Sequence, residues 1–277
     1  MENKTLSEYW AEAKRIFTKR RERGEPEFPT GLDFIDNVTD GLHRGEVWII
    51  AGKSGSGKTS LSLQIAHNFA DNPKHSILFL SLEMKGWELV SRMFCEMYRI
   101  SYNSFRVGLM PETYKEKEKQ FNDYITKIDM EIVEYGYTFE EVIKLIRSDY
   151  SAKKPDVIFI DFVQLVEWKQ FRDQRLALME YIRKLKELAK VNNIGIVVVS
   201  QIRRLPSGAD YNRPPDIIDL LGSGALEQTA DCVLIVYYRQ DDEKREYHIK
   251  VAKNRHGELV EKKVCFEGEF YRFKEVL

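Results

Sequence analysis

Cysteine is scarce in this 277-residue chain: Cys95, Cys232 and Cys265 lie far apart and form no CxxC pair or zinc spacing. So scattered and odd a set excludes a disulfide framework and points to reduced thiols in a cytoplasmic protein. No apolar run approaches the ~18 residues that a membrane-spanning helix needs. The N-terminus is charged and lacks an apolar signal region, which argues against secretion. An excess of one charge is missing too, since 43 Lys and Arg against 44 Asp and Glu leave a net charge of −1. That balance excludes a uniformly basic nucleic-acid coat, though not a basic groove on a neutral exterior. Internal repeats and low-complexity stretches are absent. At about 150 residues per domain, the length implies one large domain or two small ones. A chain of this size buries about three-quarters of its unfolded surface, so no disulfide or metal staple is needed.

The first 28 residues read differently from the rest. Thr5-Leu6-Ser7-Glu8 fits a capping box, and Leu6, Trp10, Ala13 and Phe17 then recur at helical spacing. A charged run from Lys19 to Arg23 follows, then Gly24, Pro26 and Pro29. The expectation is an amphipathic helix, a stop and an extended linker over 1–28, ahead of a main domain over 29–277. So short a helix is marginal alone in water. Its stripe must dock on its own domain or, through the Pro-rich linker, on a neighbouring subunit.

From Gly31 onward, strand and helix patterns alternate. β-rich apolar runs cover Val47 to Ala51, Ile77 to Leu82, Val157 to Ile160, Ile196 to Val199 and Val233 to Tyr237. Helical patterns separate them at Thr59 to Phe69, Trp87 to Arg99, Phe139 to Asp149 and Leu176 to Val191. Near-continuous apolar strands between helices predict an α/β fold, a mainly parallel sheet covered on both faces. Tyr247 to Ala252 and Lys262 to Phe266 flank a turn containing Gly257 and predict an antiparallel β-hairpin at the sheet edge. Glu112 to Lys119 alternates in charge and reads as a solvated helix face.

Chemistry concentrates first at Gly52-Lys53-Ser54-Gly55-Ser56-Gly57-Lys58-Thr59, which fits G-x-x-x-x-G-K-[ST] between a predicted strand and a predicted helix. The glycines let backbone N–H groups turn onto phosphate oxygens, and the helix N-terminus adds its positive end. Ser54, Gly55, Ser56, Gly57, Lys58, Thr59 and Ser60 are the expected phosphate-binding set. Lys58 is expected to neutralise β- and γ-phosphate charge and the Thr59 hydroxyl to ligate Mg²⁺, making ATP and Mg²⁺ the expected cofactors. Asp161 ends an apolar strand, where a buried charge needs a cation or hydrogen bonds, and is the second expected metal ligand. Glu83 stands just past another apolar strand, placed to orient water, because ligands in open parallel sheets sit beyond the strands' carboxyl ends. Gln201 closes a third strand and can hydrogen-bond both water and phosphate. On spacing alone Gln201 is equally readable as a plain strand-end hydrogen bond, whereas for Glu83 an exposed strand-end carboxylate is the lesser reading.

Taken in order, these segments resemble the RecA-like core of the DnaB-type hexameric replicative helicases, from about Pro29 to the C-terminus. Pro29-Thr30-Gly31 with Asp33, Gly41-Leu42 and Gly45 resembles that family's entry to the P-loop strand. Ser81-Leu82-Glu83-Met84 resembles its catalytic-glutamate motif, Asp161-Phe162-Val163-Gln164-Leu165 its Walker B segment and Ser200-Gln201 its γ-phosphate sensor. Ser223-Gly224-Ala225-Leu226-Glu227-Gln228 with Ala230-Asp231 resembles its DNA loop and following strand. Ala252-Lys253-Asn254-Arg255 with Gly257 resembles the pair of cations it inserts into a neighbour's ATP site.

The resemblance implies a homo-oligomeric ring, usually a hexamer, that moves on single-stranded DNA and hydrolyses ATP between subunits. Lys253 and Arg255 would act in trans on γ-phosphate charge. It also matches the N-terminal helix to the family's linker helix, which packs against the adjacent subunit. Gly222, Ser223 and Gly224, with Arg172 and Arg204 in loops after strands, are the expected DNA contacts; Arg175, Arg203 and Arg213 are further candidates. Two departures stand out. The family carries an N-terminal domain before the linker helix, which recruits primase, whereas this chain begins at the helix. Leu221 and Gly222 occupy positions where the family commonly has an Arg-Glu pair. A primase or loader is the expected protein partner. The competing reading is a RecA-like regulatory or loading ATPase, similar to the KaiC and recombinase-accessory types, that assembles with ATP and unwinds nothing.

Overall fold

Thr5 opens the first helix as its sequence dictates. Its hydroxyl accepts the Glu8 N–H at 3.4 Å while the Glu8 carboxylate accepts the Thr5 N–H at 2.6 Å. Helix α1 (Leu6–Arg23) then stops at Gly24, which takes the left-handed conformation that glycine tolerates. Our computed structural model describes residues 4–24, 26–134, 138–147, 154–161, 174–202, 213–220, 228–241 and 244–276. The apolar stripe of α1 is not buried against its own chain. Leu6, Trp10 and Phe17 are 89 %, 60 % and 60 % exposed.

Beyond the linker the chain builds α2 (Asp33–Thr39), β1 (Val47–Gly52), α3 (Lys58–Ala70), β2 (Ser76–Ser81), α4 (Gly86–Tyr98), α5 (Tyr102–Arg106), α6 (Tyr114–Ile125) and β3 (Asp129–Glu134). It continues through α7 (Phe139–Arg147), β4 (Val157–Asp161), α8 (Gln174–Asn192), β5 (Gly195–Gln201), β6 (Cys232–Asp241), β7 (Lys244–Asn254), β8 (Val260–Glu267) and β9 (Arg272–Glu275). The nine strands form one sheet in the order β3-β2-β4-β5-β1-β6-β7-β8-β9. The first six in that order run parallel, and β6 to β9 pair antiparallel.

The apolar runs are continuous because both faces are covered. Trp48 and Ile50 of β1 pack on one side with Leu61, Ile65 and Phe69 of α3 and with Met93 and Phe94 of α4. Val47, Ile49 and Ala51 pack on the other with Tyr181, Leu185 and Ala189 of α8 and Val142 of α7. This double burial holds the central strands rigid under the loops at their carboxyl ends.

Four elements lacked a usable signal, one of them α5, which is only five residues long. β3 is an edge strand whose residues are mostly half-buried, so its charges break the apolar pattern. β9 is short and α2 has no side-chain cap hydrogen bond. The expected hairpin belongs to a larger antiparallel extension: β7 pairs with β6 on one side and β8 on the other, and β9 finishes the edge.

Candidate functional site

At the carboxyl end of β1 the chain turns sharply into α3. A side chain at Gly52 would put its Cβ 2.4 Å from both Ser56 Oγ and the Val236 carbonyl oxygen, so only glycine lets the loop fold back there. Gly57 caps α3 with φ +94°, and a Cβ on it would meet the Phe273 ring at 2.7 Å. The loop therefore lies between α3 and the C-terminal strands. The first turn of α3 directs amides without helical partners outward.

Ser54, Gly55, Gly57, Lys58, Thr59 and Ser60 line a cleft of about 360 Å³ with Glu83, Asp161 and Gln201. Ser56 is set apart. Its side chain is buried, its hydroxyl has no partner, and its N–H donates to the Lys53 carbonyl at 3.2 Å. Lys58 Nζ donates to the same carbonyl at 2.8 Å, which curls the loop around its ammonium. Burial pushes the Lys58 pKa down, and the charges of Asp161 and Glu83 oppose that shift.

Asp161 ends β4 beside Ser81 of β2 and is 4 % exposed. Burial pushes its carboxyl up to about 6; the Thr59 hydrogen bond and the charges of Lys58 and Arg92 pull it down, and Glu83 pushes it further up. Its Oδ1 is buried without a hydrogen-bond partner. An orphaned carboxylate oxygen beside a threonine hydroxyl is the hard-oxygen donor set that Mg²⁺ takes, so these two residues fit the ion. Among the described residues there is no cluster of three or more His, Cys, Asp or Glu suited to a metal. Only a cation completed by phosphate oxygens and water suits this place.

Glu83 stands at the exposed mouth of the cleft. The turn that carries it is pinned by Leu82 N–H on the Asp161 carbonyl at 2.7 Å and by Ser81 Oγ on the Met84 carbonyl at 2.5 Å. Gln201 pairs with Gly52 in the sheet, which puts a strand-end amide beside the loop.

Lys253 and Arg255 are not in this cleft. The register sets Asn254 opposite Cys232, and Cys232 opposite Trp48, whereas Gly52 lies opposite Val236. More than about 13 Å of strand separates them from the P-loop end, at ~3.3 Å per residue. Arg255 N–H donates to the Asp231 carbonyl at 2.8 Å, and its guanidinium donates to the Gln228 carbonyl at 2.9 Å. The expected DNA contacts Arg172, Arg204, Gly222, Ser223 and Gly224 lie outside the described residues, as do Arg203 and the side chain of Arg175. Arg213 is described, and it bonds to Asp219 at 2.6 Å.

Met84 of the Ser81-Leu82-Glu83-Met84 segment also lines the cleft, as do Arg92, Phe266 and Tyr271, which sequence reading missed. Arg92 had a faint signal, a charge set among Val90, Met93 and Phe94 on α4. Phe266 and Tyr271 had none, because only the antiparallel strands fold them back onto the P-loop. No described helix is long and apolar enough to cross a membrane.

Comparison with known proteins adds to this geometry. Residues 27–275 match the family described as DnaB-like helicase C terminal domain. The chain is 31 % identical over 253 residues to a protein of Buchnera aphidicola subsp. Baizongia pistaciae named replicative DNA helicase DnaB, covering 88 % of this chain and 54 % of that one. It is 30 % identical over 263 residues to its namesake from Geobacillus stearothermophilus, covering 88 % and 56 %. It thus spans about half the length of the curated relatives it matches. In fold it is similar to a solved structure described as an ATPase domain, with a TM-score of 0.87 and 22 % identity over the whole of both chains. It is also similar to a structure described as a DnaB-like replicative helicase and its interactions with primase, with a TM-score of 0.80 and 24 % identity over 90 % of this chain and 63 % of that one.

Proposed function

The chain belongs to the DnaB-like helicase C-terminal domain family, and on that premise we propose that it is an ATP-driven motor that moves on single-stranded DNA as a ring, most simply a hexamer, in cytoplasmic DNA replication. One observation carries the reading. Lys58, Thr59, Glu83, Asp161 and Gln201 share one cleft, while Lys253 and Arg255 stand toward the opposite end of the same sheet, on and just past β7. Such a chain holds half of a phosphoryl-transfer site at one edge and its missing cations at another. A second copy, turned head to tail, completes the first, and repetition of that contact closes a ring.

Residues 1–28 serve as linker helix and linker, and 29–277 as the ATPase domain. The exposed stripe of α1 supports docking on a neighbouring subunit. In the cleft, P-loop amides and Lys58 bind the phosphates; Thr59 and Asp161 would hold Mg²⁺, which would supply charge neutralisation there. Glu83 orients the attacking water from the exposed mouth of the cleft. Gln201 bonds the γ-phosphate or the water, so that its contacts differ before and after hydrolysis. Lys253 and Arg255 of the neighbour stabilise charge on the transferring phosphoryl group. When that charge leaves, the contact between subunits loosens. Gly222, Ser223 and Gly224 follow DNA phosphates by their amides, with Arg172 and Arg204 as cations, a sequence-independent grip. A primase or loader is the proposed protein partner.

The test is Mg²⁺-dependent ATP hydrolysis with and without single-stranded DNA, with Lys58→Ala as background. Stimulation by DNA supports the motor. Robust hydrolysis indifferent to DNA overturns it in favour of a regulatory or loading ring.

A further inference from the structure

Lys253 and Arg255 stand two residues apart, and the strand that carries them has one residue too many. On β7, Val251 lies opposite Leu234 and Lys253 opposite Val233, so Ala252 is a bulge. Val251 packs in the core with α2 and α3, and Val233 in the core with α8. In a regular strand Lys253 would share the face of Val251. The extra residue turns it over. Lys253 takes the face of Val233, while Asn254, opposite Cys232, takes the face on which α2 packs.

Asn254 spends its whole side chain on that face. Its Nδ2 donates to the Val38 carbonyl at 2.7 Å and to the Glu258 carbonyl at 3.2 Å, and its Oδ1 accepts the His256 N–H at 3.1 Å. Two carbonyls and one N–H fix which way round the amide sits. Val38 stands in the last turn of α2, where carbonyls lack helical partners. Gly257 makes the close approach possible, because a Cβ on it would lie 2.2 Å from the Val38 carbonyl oxygen and 2.7 Å from Asn254 Nδ2.

The support is firm. Asp36 of α2 accepts the N–H groups of Thr30 at 2.9 Å and Gly31 at 3.1 Å, and the Phe34 N–H donates to the Glu275 carboxylate at 3.1 Å. Phe34 and Ile35 are buried beneath. The Arg255 guanidinium is thus held from one face by Asp231 and Gln228, and the turn behind it is held from the other by Asn254.

We propose that Asn254 is a positioning residue for the trans cations: it docks the turn that carries Lys253 and Arg255 onto the carbonyl end of α2, so that the pair leaves the chain at a fixed place. This rests on the trans reading of Lys253 and Arg255 given above. A cation that must meet a phosphoryl group on another subunit depends on where its backbone stands, and a misplacement of about 1 Å can cost about a hundredfold in rate.

The test is Asn254→Asp in the whole chain. The change keeps the size of the side chain and the bond from His256, but it sets an acceptor oxygen against two carbonyls. The kcat for ATP hydrolysis with Mg²⁺ by the assembled protein should fall about a hundredfold. The calorimetric affinity for ATP, bound in the chain's own cleft, should stay within about twofold of the parent. Gly257→Ala leaves Asn254 in place but pushes the turn off Val38, and it should show the same split. Mixing separates positioning from general damage. Asn254→Asp subunits keep a sound cleft and Lys58→Ala subunits keep sound cations, so mixed assemblies should regain hydrolysis that neither variant shows alone. Unchanged kcat in either turn variant overturns the proposal. So does a loss of ATP affinity alongside kcat, or no regain in the mixed assemblies. Should Asn254→Asp fail to fold, Gly257→Ala carries all three measurements. If Arg255→Ala keeps full hydrolysis, the trans reading itself fails and takes this inference with it; if Arg255→Ala loses hydrolysis while the turn variants keep it, this inference alone falls.

Discussion

Arg255 reaches back onto Asp231: its guanidinium lies 3.3 Å from the Asp231 carboxylate, which is itself buried and receives the Val47 N–H at 2.8 Å and Lys186 Nζ at 2.5 Å. The far end of the sheet is thus built around one anion, and the proposed trans cation is mounted on it.

Asp231→Ala should be severely destabilising. It takes the carboxylate from Lys186, whose side chain is 12 % exposed and keeps a bond to the Gly45 carbonyl at 2.8 Å, and it leaves the Val47 N–H without its acceptor. Breaking a buried pair in this way costs about 3–5 kcal/mol. Urea denaturation is the measurement, and a change below about 1 kcal/mol would show that Asp231 is no anchor.

Arg255→Ala should be different in kind. The side chain is 38 % exposed, so folding stability should change by less than about 1 kcal/mol. ATP binding should persist while hydrolysis in the assembled protein falls about a thousandfold or more, as for removal of an arginine finger. Full hydrolysis by the variant would refute the trans role.

The exposed stripe on α1 makes a separate prediction. Trp10→Ala with Phe17→Ala should leave the melting transition within about 0.5 kcal/mol, because neither ring packs on its own domain. Assembly with ATP and Mg²⁺, followed by sedimentation velocity, should nevertheless weaken. Rings of unchanged stability would remove α1 from the subunit contact.

Gly57→Ala should damage the loop without touching its charges. The left-handed φ of +94° costs an alanine about 1–2 kcal/mol, and its Cβ would meet Phe273 at 2.7 Å. Thermal melting and ATP affinity should both fall.

Glu46 links stability to pH. Burial pushes its carboxyl up, with the nearby Asp231 adding to the shift, while hydrogen bonds from Trp48 and His43 pull it down. A carboxyl raised in the folded state contributes stability that is fully present below its unfolded pKa and is lost as pH rises through the folded value. One oxygen, Oε2, accepts both Trp48 Nε1 at 3.0 Å and the His43 N–H at 3.2 Å, so the amide oxygen of Glu46→Gln can keep both bonds. The variant should gain on the parent as pH rises from acid through neutral. Parallel melting curves across that range would contradict the assignment.

Local chemistry settled much of this protein in advance. The capping box of α1, the apolar runs of the central strands and the P-loop glycines each act within a few residues, so their consequences could be read from the chain. The cluster of Lys58, Thr59, Glu83, Asp161 and Gln201 was legible for a related reason: in a parallel sheet, every strand's carboxyl end lies at the same edge. Tertiary structure alone decided what depends on contacts between distant segments. Phe266 and Tyr271 reach the cleft only because β8 and β9 fold back beside the P-loop. Glu96 of α4 meets His67 of α3 and Arg272 of β9 only because the fold packs those elements together. Arg255 is fixed far from Lys58 by the register of β6 and β7, a matter of backbone pairing that the residues' own types do not encode.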